Sequence, residues 1–206
     1  MSADRDLAGA VRYAREAADR LPTSLCYHDR AHTFDVVVPA ARRLAIEERL
    51  DAGTRALVMV AACYHDLGFV EAYEGHEEVS QRLAAEALPR FGFRGAEVDA
   101  VVGMIAATRL PQSPRTLAER VLADADLIVL GRRDFLSFDR LLRREAERRA
   151  GPIGDIEWYG AQLAFLAAHR YFTPTARRMR ERRKQLNRVQ LGALMERAQR
   201  SGSGVS

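Results

Sequence analysis

Five histidines occur in the chain, and four of them fall between residues 28 and 76. His28 and His32 stand four apart, the spacing that puts two side chains on one helix face, provided the helix starts early enough. His65 and Asp66 are adjacent, and His76 opens a later helical segment beside Glu77 and Glu78. A neutral imidazole nitrogen and a carboxylate oxygen are both good ligands for a divalent ion. The His65-Asp66 pair also closes an apolar run, Ala56 to Cys63, that offers water almost nothing polar and belongs inside a bundle. Two polar groups at the end of a buried helix cost free energy unless something satisfies them, and a metal ion does so. Taken singly, a histidine on an apolar face is usually a core residue held by hydrogen bonds. Four close together beside a His-Asp pair fit that account poorly.

The elements that must position these groups are read as helices. Asp4 to Leu21 is amphipathic, with Leu7, Val11, Ala14 and Ala18 on one face. The segment after Tyr27-His28-Asp29-Arg30-Ala31-His32 turns Val37, Val38, Ala41, Leu44 and Ala45 inward, with a kink or break expected at Pro39. The central helix follows the turn Asp51-Ala52-Gly53 and ends with Gly68 as its C-terminal cap. His76 to Leu88 carries Glu77 and Glu78 in its first turn, which suits the positive end of a helix. Further helices are expected at Val98–Thr108, Leu117–Leu130, Phe135–Ala150, Trp158–His169 and Thr175–Gln199, with a flexible Gly/Ser tail at 201–206. No strand-period alternation persists, so the expected fold is all-α.

Length and composition bound the rest. A chain of 206 residues that is 48% hydrophobic supports one sizeable core, expected as a single-domain helical bundle over residues 1–200. The net charge is +4 and the basic residues are arginines except for Lys184. A modest positive excess suits anionic small-molecule substrates and is weak ground for a nucleic-acid partner. The arginine cluster Arg177, Arg178, Arg180, Arg182, Arg183 and Arg188 reads as a solvated face. Cys26 and Cys63 are read as thiols of a reducing cytoplasm. The opening residues do not read as a signal peptide. No uncharged apolar stretch reaches the ~18–20 residues of a membrane span, so no membrane partner is expected. The oligomeric state is left open.

These residues meet a known family at several points in order. They are Tyr27-His28 with His32, then Cys63-Tyr64-His65-Asp66-Leu67-Gly68, then His76-Glu77-Glu78 with Ser80, then Leu122-Ala123-Asp124-Ala125-Asp126-Leu127. The set resembles the HD-domain metal-dependent phosphohydrolases over residues 27–131. A bare His-Asp pair would carry nothing; the ordered set on successive helices carries the resemblance. It implies an HD-type helical bundle with His32, His65, Asp66 and a late aspartate as metal ligands. On a helical wheel Asp124 and Asp126 flank the apolar face on opposite sides, so periodicity does not choose between them. The family's Ala-Asp followed by an apolar residue favours Asp126. Relatives with two metals carry further histidines where this chain has Thr108-Arg109, which favours one ion. Mixed nitrogen and oxygen donors suit Mn, Fe, Co, Ni or Zn more than Mg.

The resemblance implies hydrolysis of a small phosphate ester, such as a nucleotide mono- or diester, by water activated at the metal. His76 and Glu77 are the candidates for acid catalysis, against a plain role at a helix N-terminus. His28, Arg30 and Arg109 are the candidates for substrate binding, since guanidinium matches phosphate bidentately. Two rival readings stand beside this one. One is a non-catalytic helical module in which the metal braces helices or a pocket senses a ligand. The other is an enzyme of the same fold with different hydrolytic or hydration chemistry.

Overall fold

The computed structural model describes residues 5–202, and among them every regular element is helical. The chain forms two compact units, one reaching to Leu127 and the other starting at Ile128.

In the first unit α1 spans Leu7–Ala18 and is capped by Asp6, whose carboxylate accepts the Gly9 amide at 2.7 Å. Its buried face is made of Gly9, Ala10, Ala14, Ala17 and Ala18. Leu7, expected inward, is exposed, because the small residues bring this helix close to its neighbours. Asp4 lies outside the described residues. Helical conformation resumes at Arg30 and passes through a π-helical turn, His32–Val37, into α2, Val38–Glu47. The expected kink at Pro39 is realised differently. Proline lacks the amide that would bond four residues back, and the wider π turn just upstream accommodates the missing ladder. Val37, Ala41, Leu44 and Ala45 face inward as the apolar pattern indicates.

α3, Ala52–Tyr64, is the axis of this unit. Asp51 caps it through the Thr54 amide, and α1, α2, α5 and α6 all pack on it. Its last turns are fully buried, and the Tyr64 hydroxyl donates to the Ala10 carbonyl at 3.1 Å. Burial pushes the Cys63 thiol up to about 12, so this residue is an unreactive filler. A 3-10 turn, Leu67–Val70, follows and packs on α4, His76–Ala87. Gly68 is therefore not the left-handed cap expected of it. A Cβ there would stand 1.9 Å from the His76 carbonyl oxygen, so glycine is present for close approach. Its amide donates to the Ser80 hydroxyl at 2.8 Å.

α5 is Ala96–Ala106. α6, Leu117–Asp126, begins in a capping box between Thr116 and Glu119. It ends at Asp126, four residues earlier than expected, and the chain continues as a 3-10 turn, Leu127–Gly131.

The second unit contains α7, Phe135–Ala150, α8, Asp155–Ala168, and α9, Pro174–Gly202. The last helix takes in Ser201 and Gly202, which were expected in a flexible tail; residues 203–206 lie outside the described residues. α8 packs along α9, and the Trp158 indole donates to buried Asp139 of α7 at 3.2 Å. Lys184 is 1% exposed. Its ammonium donates to the His169 carbonyl at 2.8 Å, lies 3.1 Å from Glu181 and faces the Tyr171 ring. No helix of the described residues is long and apolar enough to cross a membrane.

Candidate metal centre

The ends of three helical segments converge in the first unit. Asp29 accepts the His32 amide at 2.9 Å and so starts the turn that carries His32 inward. His65 and Asp66 leave the buried end of α3, and Asp126 is the last residue of α6. His65 Nε2 stands 3.1 Å from Asp66 Oδ2 and 3.5 Å from Asp126 Oδ1. His32 Nε2 stands 3.6 Å and 3.5 Å from the same two oxygens. His32, His65 and Asp66 are buried, and each can offer one donor atom within 4.8 Å of the others. Asp126 adds a fourth against both imidazoles. Asp124 is fully buried two residues earlier on α6.

Burial without hydrogen bonding makes the cluster unusual. His32 Nε2, His65 Nε2 and Asp66 Oδ2 are all buried with no hydrogen-bond partner among the described residues. Such orphans are costly in a folded core. Three of them aimed at one another fit a cation that accepts all three lone pairs. His65 is oriented for this, because its Nδ1 lies 2.9 Å from the Ala62 carbonyl. That contact fixes a proton on Nδ1, so Nε2 is the nitrogen that would turn a lone pair toward a bound cation.

Electrostatics say the same in the absence of an ion. Burial would raise the Asp126 carboxyl, but the His32 and His65 imidazoles facing it hold it down at about 2. Burial acts likewise on Asp66, where the His65 charge and the close approach of His65 and His76 win and keep it well below the usual carboxylate range. Burial lowers His65, while Asp66 and Asp126 together raise it well above the usual imidazole value. The carboxylates hold a second proton on His65. A bound cation would take the place of that proton, so uptake and proton release go together.

The other candidates are distributed around this core. His76 Nε2 is 3.5 Å from Asp66 Oδ1, the oxygen turned away from His65, and its Nδ1 is 3.1 Å from the Tyr73 carbonyl. Glu77 Oε2 is 3.5 Å from that same Nδ1. His28 precedes the helix start, so it does not share a helix face with His32, yet the two rings are 5.8 Å apart. His28 stacks on Phe69 at 4.6 Å, and Phe69 stacks on His76 at 3.8 Å. Phe69 and Tyr73 were invisible as site residues in the sequence, where they read as ordinary apolar positions. The two arginines are engaged elsewhere. Arg30 pairs with Asp19 at 3.1 Å, and Arg109 pairs with Glu78.

No protein-family model matches the sequence, and no curated protein does. A solved structure does: a predicted HD superfamily hydrolase from an uncultured Thermotogales bacterium. Its TM-score is 0.62 at 22% identity, covering 100% of this chain and 97% of that one. The chain has the HD-superfamily fold. The donors that converge in it, His32, His65, Asp66 and Asp126, are the residues that the resemblance in sequence marked as expected ligands.

Proposed function

We propose that this HD-fold chain is a hydrolase, and more narrowly a metal-dependent hydrolase of a small phosphate ester such as a nucleotide mono- or diester. The observation that carries the proposal is the set of partnerless donor atoms on His32, His65 and Asp66, closed by Asp126. These four residues would hold one divalent ion, with Mn, Fe, Co, Ni or Zn preferred over Mg by the mixed donor set. Such an ion, when bound, supplies a Lewis acid and a water nucleophile at neutral pH.

The chain's own residues supply the rest. His65 is held in one tautomer by Ala62. His76, with Nδ1 turned to the Tyr73 carbonyl, keeps Nε2 as the position from which a proton passes to the leaving oxygen. Burial lowers the His76 pKa, but the bond and charge of Asp66 and the charge of Glu77 raise it more, which suits an acid. His28, stacked in the same aromatic row, is assigned to the substrate. Arg30 and Arg109 enter only by exchanging their carboxylates for phosphate; both are exposed pairs of the kind that contribute little to stability.

The test begins with elemental analysis of protein purified without chelator, expected to give about one ion per chain. Phosphate or nucleoside release is then followed over a nucleotide panel with Mn, Co, Ni, Mg and Zn. Chelation should stop turnover, and one added ion should restore it. Protein that holds its ion but turns over no member of the panel would favour the sensing or structural reading. Protein that takes up no ion would remove the centre itself.

A further inference from the structure

The arginines of α9 do not simply coat a solvated face. Arg178, Arg180, Arg182 and Arg183 join Arg133, from the turn before α7, around one cavity of about 410 Å³ that no carboxylate lines. Several exposed arginines elsewhere are neutralised by acids, as in Arg43–Glu47 and Arg82–Glu71. Among the described residues no carboxylate pairs with Arg133, Arg182 or Arg183. The nearby acids are committed, Asp134 to Arg132 at 2.7 Å and Glu181 to Lys184 at 3.1 Å. Arg183 Nε is buried with no hydrogen-bond partner, and its terminal nitrogen reaches only the Arg133 carbonyl, at 3.5 Å.

The wall of this cavity is fixed by packing. At Gly131 a Cβ would stand 2.5 Å from the Arg180 Cβ and 2.6 Å from its carbonyl oxygen, so glycine alone lets the turn lie against α9. Fully buried Asn187 donates to the Leu130 carbonyl at 2.8 Å and to the Arg132 carbonyl at 2.9 Å, holding the same turn in place. Like charges gathered in a concavity repel one another and focus a positive potential into it. They are stabilised when a multivalent anion enters.

We propose that this cavity binds a small organic polyphosphate of the nucleoside triphosphate type. Guanidinium forks match phosphate oxygens two at a time. Three uncommitted arginines carry more positive charge than one phosphate, at about −1.5 to −2, can neutralise. The volume lies in the range of small-ligand sites, and Met179 and Leu186 give the lining an apolar edge for a base. The site is built wholly from residues beyond Leu127 and does not rest on the metal reading.

The experiment titrates the full chain with a fluorescent ATP analogue in chelator, then competes it with inorganic tripolyphosphate, with orthophosphate and with a short single-stranded RNA. Saturable binding is expected, displaced by tripolyphosphate and hardly by orthophosphate. Arg182 is exposed, so Arg182→Glu should keep the wild-type melting curve while weakening binding by ~10-fold or more. Arg183→Gln should weaken it too, and His65→Ala should leave it unchanged. Absence of binding in the wild type overturns the proposal, as does full binding by both arginine variants. Loss of binding in His65→Ala would also overturn it, by moving the ligand to the first unit. RNA competing better than tripolyphosphate, with a steep salt dependence, would replace it with a nucleic-acid surface.

Discussion

Asp66 divides its two oxygens between neighbours, Oδ2 toward His65 and His32, Oδ1 toward His76. It is therefore the residue through which the candidate acid and the candidate ligands are joined. Asp126 meets only the two imidazoles. The two late aspartates should then separate cleanly. Asp126→Ala is expected to lose the ion while the fold persists. Asp124→Ala is expected to keep the ion and lose about 1–3 kcal/mol of stability, the usual cost of disturbing a buried polar group. Elemental analysis beside a thermal melt reads both, and metal loss in the Asp124 variant alone would reverse the assignment. Periodicity could not make this choice, because the wheel set the two aspartates symmetrically about one face, and only the family resemblance favoured Asp126. The geometry separates them because α6 stops at Asp126 and the chain turns there. Residue type and spacing marked a wider cluster of His28, His32, His65, Asp66 and His76, and the family resemblance picked His32, His65 and Asp66 out of it.

At the scale of elements, the contact between the Leu67–Val70 turn and the start of α4 decides where His76 stands. Gly68→Ala forces a methyl into the His76 carbonyl and the Ser80 amide. The expected cost is about 1–3 kcal/mol, seen as a lower melting temperature. His32, His65, Asp66 and Asp126 do not lie on α4, so the variant should retain its ion while turnover falls. Unchanged stability would show that the backbone there yields easily. The helix order, the buried face of α2 and the bounds of α7 followed from apolar periodicity and capping residues. The π turn did not, because a single extra residue in a helical turn leaves no mark on hydrophobic spacing. Nor did the true role of Gly68, since a glycine at a helix end looks the same whether it bends the chain or admits a neighbour.

Across the whole molecule, few carboxyls work against the fold at neutral pH, and Asp139 is one. Burial raises its pKa, and the Trp158 bond and the charges of Arg143 and Arg140 offset this only in part. A carboxyl raised in the folded state stabilises the fold below its unfolded value, and that contribution is lost as pH rises through the folded value. Asp139→Asn keeps an oxygen for the indole and cannot ionise. It should melt higher than the wild type at pH 7, with the difference vanishing in acid below the ordinary aspartate range; a lower melt at both pH values would contradict this. Composition set the overall excess of positive charge, but where the arginines gather depends on how α9 meets the turn at Gly131, which no local pattern encodes. Lys184, the chain's one lysine, is sealed among His169, Tyr171 and Glu181. The positive charge of the described surface is thus carried by arginine alone. Acetylation and amine-directed cross-linking have no side-chain amine to reach there, so lysine chemistry cannot tune this surface in the folded state. Mass spectrometry after an amine-reactive dye should find Lys184 unlabelled in native protein and labelled once it is denatured.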